Sequence, residues 1–479
     1  MTYKQKLTWV YGIVLLFIII NSLLIANEFY WFSLIPLLLA TIIIYLFALD
    51  KLLLIITFLT PIAINIEFFD IGAAISIPTE PLMAGILILF IVKLFYDIRL
   101  NKKFLFHPVT VAIILYLSWL FITTLTSQIP VVSLKFLIAK LWFIIPFYVL
   151  GVELFKKEKN IRIFSWCYLI PLIGVIIYTT INHYQWGFYE IPAHWVMKPF
   201  YNDHTAYGSI IAMFIPICIG FILYKNYTKF TKYIVLLIII ILLLALILSY
   251  SRAAWISIIG AIVITIIILI RFKFRYILLI SGIITVLVWS LQQEILNKLE
   301  KNKQDSSANL IEHVQSIYNI SSDASNLERI NRWNSAIRMF KEKPILGWGP
   351  GTYQFIYAPY QNSKDKTIIS TNAGDRGNAH SEYIGPLCEA GILGLLTFVA
   401  VVISVIYTGI KVFRTSENKY IRWLGLTFLI GLITYYIHGT LNNFLDTDKA
   451  SVPFWGFTAI IVALDLYHKN NKETLSKIE

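Results

Sequence analysis

Charged side chains are scarce in this chain: Asp, Glu, Lys and Arg make up only 14% of its 479 residues. An ordinary soluble domain carries about 25%. With 58% hydrophobic residues and a mean hydropathy of +0.72, the chain lacks the polar surface to enclose its apolar content in water, so a bilayer must solvate much of it. Cysteine is nearly absent. Cys167, Cys218 and Cys388 each fall in or beside an apolar run at no metal-ligand spacing, which argues against a disulfide framework and a cysteine zinc site. No P-loop, no G-x-S-x-G elbow and no zinc-type histidine pair occurs, and no internal repeat or low-complexity tract stands out.

What is present is a series of apolar runs. Segments of roughly 17–25 apolar residues cross a bilayer. They are expected near 9–26, 31–49, 51–66, 80–96, 108–126, 134–152, 162–181, 205–224, 232–249, 252–270, 276–292, 384–410, 421–438 and 452–467, about 12–14 transmembrane helices in all. The first follows Lys4 and Lys6 with no A-x-A-like cleavage site after it, so it reads as a retained helix and not a signal peptide. The fold class expected is all-α and polytopic, in three parts: an N-terminal transmembrane region (1–292), a large polar loop (293–383) and a C-terminal transmembrane region with a tail (384–479).

The +13 net charge is distributed as topology requires, and this outweighs a nucleic-acid partner as its explanation. Even-numbered connections are basic: Lys51; Lys93 to Lys103; Lys156 to Arg162; Lys225 to Lys232; Arg271 to Arg275; Lys411 to Arg422; and the tail with Lys469, Lys472 and Lys477. The stretch 65–80 holds Glu67, Asp70 and Glu80 and no basic residue. Both termini are then expected in the cytoplasm, and the large loop on the outer face.

Polar groups at a membrane edge are costly, so they are the candidates for function. Arg252 opens a helix in SRAAW, as an interface anchor or as an anion clamp. In the loop, Glu328 to Phe340 has helical spacing, with Ile330, Trp333, Ile337 and Phe340 on one apolar stripe. Arg329, Arg332 and Arg338 ride on that helix, as a solvated face or as forks suited to phosphate. Pro344 and the glycines Gly347, Gly349 and Gly351 end it. His380 precedes the next apolar run, as a structural hydrogen-bonder or as an acceptor for a hydroxyl proton. Glu389 lies in that run and needs a partner. Lys135 and Lys140 sit within an apolar segment, either snorkelling or lining a site, and Asp203, His204 and His438 are further polar groups on the same face.

SRAAW, then RINRWNSAIRMFKEKPILGWGPGTYQ, then HSEYIGPLCEAGILG, in this order over about 150 residues, resemble the O-antigen ligase and O-antigen polymerase superfamily of bacterial envelope glycosyltransferases. Ser381 follows His380 where that family often has Asn, and Asp203–His204 stands where a family Asn is common. The resemblance implies a GT-C-like fold in the bacterial inner membrane and an active site facing the periplasm. It implies transfer of a glycan from undecaprenyl pyrophosphate to a sugar hydroxyl on lipid A–core, inverting, with no metal, ATP or other cofactor. His380, Arg252 and Arg332 would be catalytic. Arg252, Arg329, Arg332 and Arg338 would hold the donor pyrophosphate. Glu389, Lys135, Lys140, Asp203, His204 and His438 would support them. An O-antigen polymerase or a protein O-oligosaccharyltransferase fits the same motifs. A polysaccharide transporter or flippase is the rival outside the enzymes; it would spread polar groups through the bilayer midplane in repeated halves.

Overall fold

The computed structural model describes residues 2–68, 73–96, 101–224, 227–271, 324–363, 366, 370 and 377–469. Two compact units are present, Met1–Ile55 and Ile56–Glu479. In the first, Thr2 and Gln5 cap the helix Tyr3–Ala26 reciprocally, satisfying amides that the first turn leaves unbonded. A one-turn helix Tyr30–Leu34 and the helix Ile35–Phe47 follow, and Phe17 stacks on Phe32.

The protein is an all-α polytopic membrane protein. Among the described residues, 10 helices are long and apolar enough to cross a bilayer: Tyr3–Ala26, Pro108–Leu125, Pro130–Leu154, Glu158–Gln185, His204–Ile222, Lys229–Leu248, Arg252–Leu269, Gly391–Thr415, Lys419–His438 and Asp448–His468. Each coincides with an expected span. The span expected at 276–292 and the first part of the loop, to residue 323, lie outside the described residues, as do Lys273, Arg275, Lys472 and Lys477.

Of the three other expected spans, one is a helix of the expected extent and two take other forms. The run 31–49 yields only Ile35–Phe47, thirteen residues. The run 80–96 is the helix Thr79–Tyr96. The run 51–66 stops as a helix at Leu59, because Pro61 has no amide proton to continue the ladder. It passes through the tight turn Thr60–Ile62 into a strand, β1 (Ile64–Phe68), which pairs antiparallel with β2 (Ala73–Ile77) in the register Ile64↔Ile77, Asn65↔Ser76, Ile66↔Ile75. Alternating Ile64, Asn65 and Ile66 suit a strand better than a spanning helix.

His204–Ile222, Lys419–His438 and Asp448–His468 are buried over most of their length and form the centre of the second unit. Small residues let these backbones approach. A Cβ on Gly220 would stand 2.5 Å from Thr427 Oγ1, and one on Gly431 would stand 2.7 Å from the Met213 carbonyl oxygen. Lys229–Leu248 and Arg252–Leu269 keep most of their surface outward.

The described part of the loop has its own core. The helix Ala324–Glu342 and the segments after it bury Ala336, Met339, Trp348, Tyr353, Tyr357, Ala379 and Cys388 together, and Trp348 Nε1 donates to the Met339 carbonyl at 2.9 Å. The inward face of that helix differs from the expected apolar stripe. Glu328, Asn331, Arg332, Ser335, Ala336 and Met339 point inward, while Ile337 is 38% exposed and Phe340 only flanks the core. These polar residues tolerate burial because each makes at least one hydrogen bond, although Asn331 Oδ1 has no partner among the described residues. Asn331 Nδ2 reaches Gln361 Oε1 at 2.9 Å, Ser335 Oγ bonds the Asn331 carbonyl at 2.8 Å, and the Tyr353 hydroxyl donates to the Arg332 carbonyl at 2.9 Å.

Candidate active site

The turn after the loop helix and the start of the Gly391–Thr415 helix are clasped backbone to backbone. Trp348 N donates to Cys388 O at 3.2 Å, Gly349 N to Glu389 O at 2.7 Å, and Ile392 N to Pro344 O at 2.9 Å. The clasp needs glycine at Gly347 and Gly391, which adopt φ of +69° and +70°. A Cβ on Gly347 would meet the Glu389 carbonyl oxygen at 2.3 Å. Glu389 closes the joint from its side chain by accepting the Tyr353 amide at 3.0 Å. Two sequence motifs some forty residues apart are thus one structural joint, and Glu389 serves it.

The joint holds up the segment that carries His380. That residue adopts φ +48°, in the left-handed region, and its amide donates to Asn378 Oδ1 at 3.1 Å. A non-glycine residue held there is strained by about 1–3 kcal/mol, a pattern that clusters at functional sites. On its other flank, Glu382 is fixed by three donors: the Tyr435 hydroxyl at 2.7 Å, Phe444 N at 2.8 Å and Leu445 N at 2.9 Å. Burial raises the Glu382 carboxyl above the usual range, opposed by Lys140 and these hydrogen bonds. Sequence reasoning misses Glu382; its one signal is a carboxylate between His380 and the apolar run YIGPL.

His380 lies within electrostatic reach of Arg329, Arg332, Asp203 and Glu328. Burial, then the two guanidinium groups, hold its imidazole down at about 4, so it is neutral at neutral pH. His204 is within reach of Arg329, Arg252 and Asp203, and His438 of Arg329, Asp203 and His204. Arg329 and Asp203 are the two groups that all three imidazoles share. His204 stacks on His194, with centroids 4.2 Å apart and planes 7° from parallel. Nothing in the sequence singles out His194, and only this stacking draws attention to it.

The other candidates occupy more local positions. Asp203 caps its helix, accepting from Thr205 N at 2.6 Å and Ala206 N at 2.9 Å. His438 Nε2 is 3.1 Å from Asn442 Nδ2. Arg252 Nη2 is 3.9 Å from Glu190 Oε1. Arg332 is committed: Nε to Glu328 Oε1 at 2.8 Å, Nη1 to the Asn378 carbonyl at 3.2 Å, and its face over the Tyr357 ring. Arg338 donates to the Tyr360 carbonyl, a bond that fastens the loop. Lys140 is buried and donates to the Leu445 carbonyl at 2.6 Å, whereas Lys135 is exposed.

Residues 237–399 match the family model of the O-antigen ligase. The match takes in SRAAW, the loop helix, His380 and Glu389, and leaves out Lys135, Lys140, Asp203, His204 and His438. A protein of Haemophilus influenzae (strain ATCC 51907 / DSM 11121 / KW20 / Rd), described as an uncharacterized protein, is 25% identical over 210 residues, or 43% of this chain and 50% of that one. The similarity therefore spans about half the length of that relative. Residues 237–399, which hold the three motifs and the described core of the loop, are therefore the part of the chain that is similar to the O-antigen ligase family.

Proposed function

We propose that the chain is an O-antigen ligase-like glycosyltransferase that moves a glycan from undecaprenyl pyrophosphate to a lipid A–core sugar hydroxyl, on the periplasmic side of the bacterial inner membrane. The observation that carries this reading is the meeting of a strained, neutral His380 with Arg329 and Arg332, with Arg329 and Arg252 both within electrostatic reach of His204. The acceptor oxygen attacks the anomeric carbon, and the bond from that carbon to the diphosphate oxygen breaks. The electron pair leaves with undecaprenyl pyrophosphate, the hydroxyl proton passes to the His380 imidazole, and the anomeric centre inverts. The energy resides in the donor linkage.

The cations differ in task. Arg329 and Arg252 receive the diphosphate, where preorganised charge stabilises the leaving group. Arg332 positions, because its Nε and one Nη are occupied by Glu328 and Asn378. His380 is a weak base at about 4 in the free protein. A diphosphate arriving beside the guanidiniums offsets the charge that depresses it, so the imidazole becomes more basic when the donor is bound. The donor thereby activates its own acceptor's base.

The deciding experiment is transfer in vitro with purified protein, a defined undecaprenyl-linked donor and a lipid A–core acceptor. Wild-type protein is expected to form the conjugate and His380→Ala to form none while still inserting. Conjugate formed normally by His380→Ala overturns the assignment of that residue. Transfer only onto a second lipid-linked repeat would make the enzyme an O-antigen polymerase, and transfer onto protein an O-oligosaccharyltransferase.

A further inference from the structure

Beside the cationic site lies a cavity of about 410 Å³ that the mechanism above does not use. Small-molecule sites fall in the range of about 300–1,000 Å³. Asn378, Ala379 and Ser381 line it, so the segment that presents His380 to the guanidiniums also forms the cavity wall.

The lining is acidic. Glu80, Glu382, Glu389 and Asp446 face it against the single cation Lys140. Such a lining disfavours a diphosphate, which the arginine site suits. Glu382 and Glu389 are engaged with backbone amides, as described above. Asp446 is engaged less: its carboxylate accepts only from its own backbone amide and lies within electrostatic reach of Lys140, and no hydrogen bond or ion pair joins it to another described residue. Asn443 Oδ1, also in the lining, is sealed from solvent with no hydrogen-bond partner among the described residues. A buried orphan acceptor calls for a donor that the protein does not supply. Lys140, 5% exposed, has three donors and spends one on the Leu445 carbonyl. The Phe136 ring under its ammonium and the Tyr116 ring add apolar faces to this wall.

We infer that this cavity is a subsite for an uncharged saccharide ring of the glycan substrates. A pyranose offers what the lining lacks: hydroxyls that donate to Asp446 and Asn443 Oδ1, oxygens that accept from Lys140, and a C–H face for an aromatic ring. Position next to His380 sets the ring one linkage from the reacting bond. The inference deepens the glycosyltransferase reading and rests on it. The ring belongs to either the donor glycan or the acceptor, which share this chemistry.

The test is binding by full-length protein in nanodiscs, followed by saturation-transfer NMR and calorimetry. Three probes are used: oligosaccharide released by mild acid from the lipid-linked donor, oligosaccharide released from lipid A–core, and inorganic pyrophosphate. Wild-type protein is expected to bind one of the two oligosaccharides, which identifies the source. Asp446→Asn and Asn443→Ala, each with an unchanged melting profile, should weaken that binding by about tenfold or more and leave pyrophosphate affinity intact. Unchanged oligosaccharide affinity in both variants overturns the inference. So does the absence of oligosaccharide binding by wild-type protein, or a loss confined to pyrophosphate. If wild-type protein binds the oligosaccharide yet catalyses no transfer, the reaction assignment fails and the subsite stands. If transfer proceeds and the variants bind as wild type does, the reaction assignment stands and the subsite fails.

Discussion

Arg332 Nε lies 2.8 Å from Glu328 Oε1, one helical turn away, and both side chains are more than nine-tenths buried. A buried pair broken on one side leaves an uncompensated charge, at a cost of about 3–5 kcal/mol. Arg332→Ala and Glu328→Ala should therefore each lower the melting temperature and abolish transfer. The double variant should lose less than the sum of the two. Melting of detergent-solubilised protein and the transfer assay check this; additive losses would mean that the two side chains act independently.

Gly377 leaves room for that guanidinium. A Cβ there would stand 1.4 Å from Arg332 Nη1. Gly377→Ala is thus expected to reproduce the Arg332→Ala phenotype with the arginine still present, both in melting and in transfer.

The pH profile separates free protein from donor complex. His380 is neutral, and so competent to take a proton, above about 4 in the free protein. The acid limb of kcat/KM for the donor should fall near that value, whereas the limb of kcat, which reports the bound state, should lie at higher pH. A limb near pH 6.5 in both profiles would mean that neither burial nor the arginines depress His380.

Lysine should substitute poorly for Arg252 and Arg329. Both would keep the charge and lose the planar fork that grips two phosphate oxygens. Transfer by Arg252→Lys and Arg329→Lys is expected to drop by about 10²-fold or more, with the loss mainly in kcat. Full activity of either lysine variant would reduce the requirement to charge alone.

Chelation provides a further check on the chemistry. Transfer by purified protein should continue in EDTA, since the proposed steps use only protein side chains. Inhibition that a divalent ion reverses would contradict those steps.

Much of the fold was legible because a bilayer imposes a length and a composition on whatever crosses it. Ten described helices coincide with apolar runs found in the sequence. The exceptions have local causes. Pro61 ends a helix that hydropathy alone would have extended to residue 66, and a hairpin follows. Hydropathy also misjudged the loop helix. Ile330, Trp333, Ile337 and Phe340 are in helical register, yet Glu328, Asn331 and Arg332 turn inward, since the loop core gives each of them a bonded partner.

The sequence by itself determined the class of molecule, its membrane helices and the three motifs that resemble the O-antigen ligase superfamily, because apolar content, helical period and short-range spacing are local properties of a chain. Which cations face His380, which one is tied to Glu328, and where Asp446 opens into a cavity were decided only by the tertiary structure. Apart from the Glu328–Arg332 pair, which lies one helical turn apart, those relations join residues some fifty to three hundred positions apart, and burial and electrostatic neighbourhood exist only once the chain has brought them together.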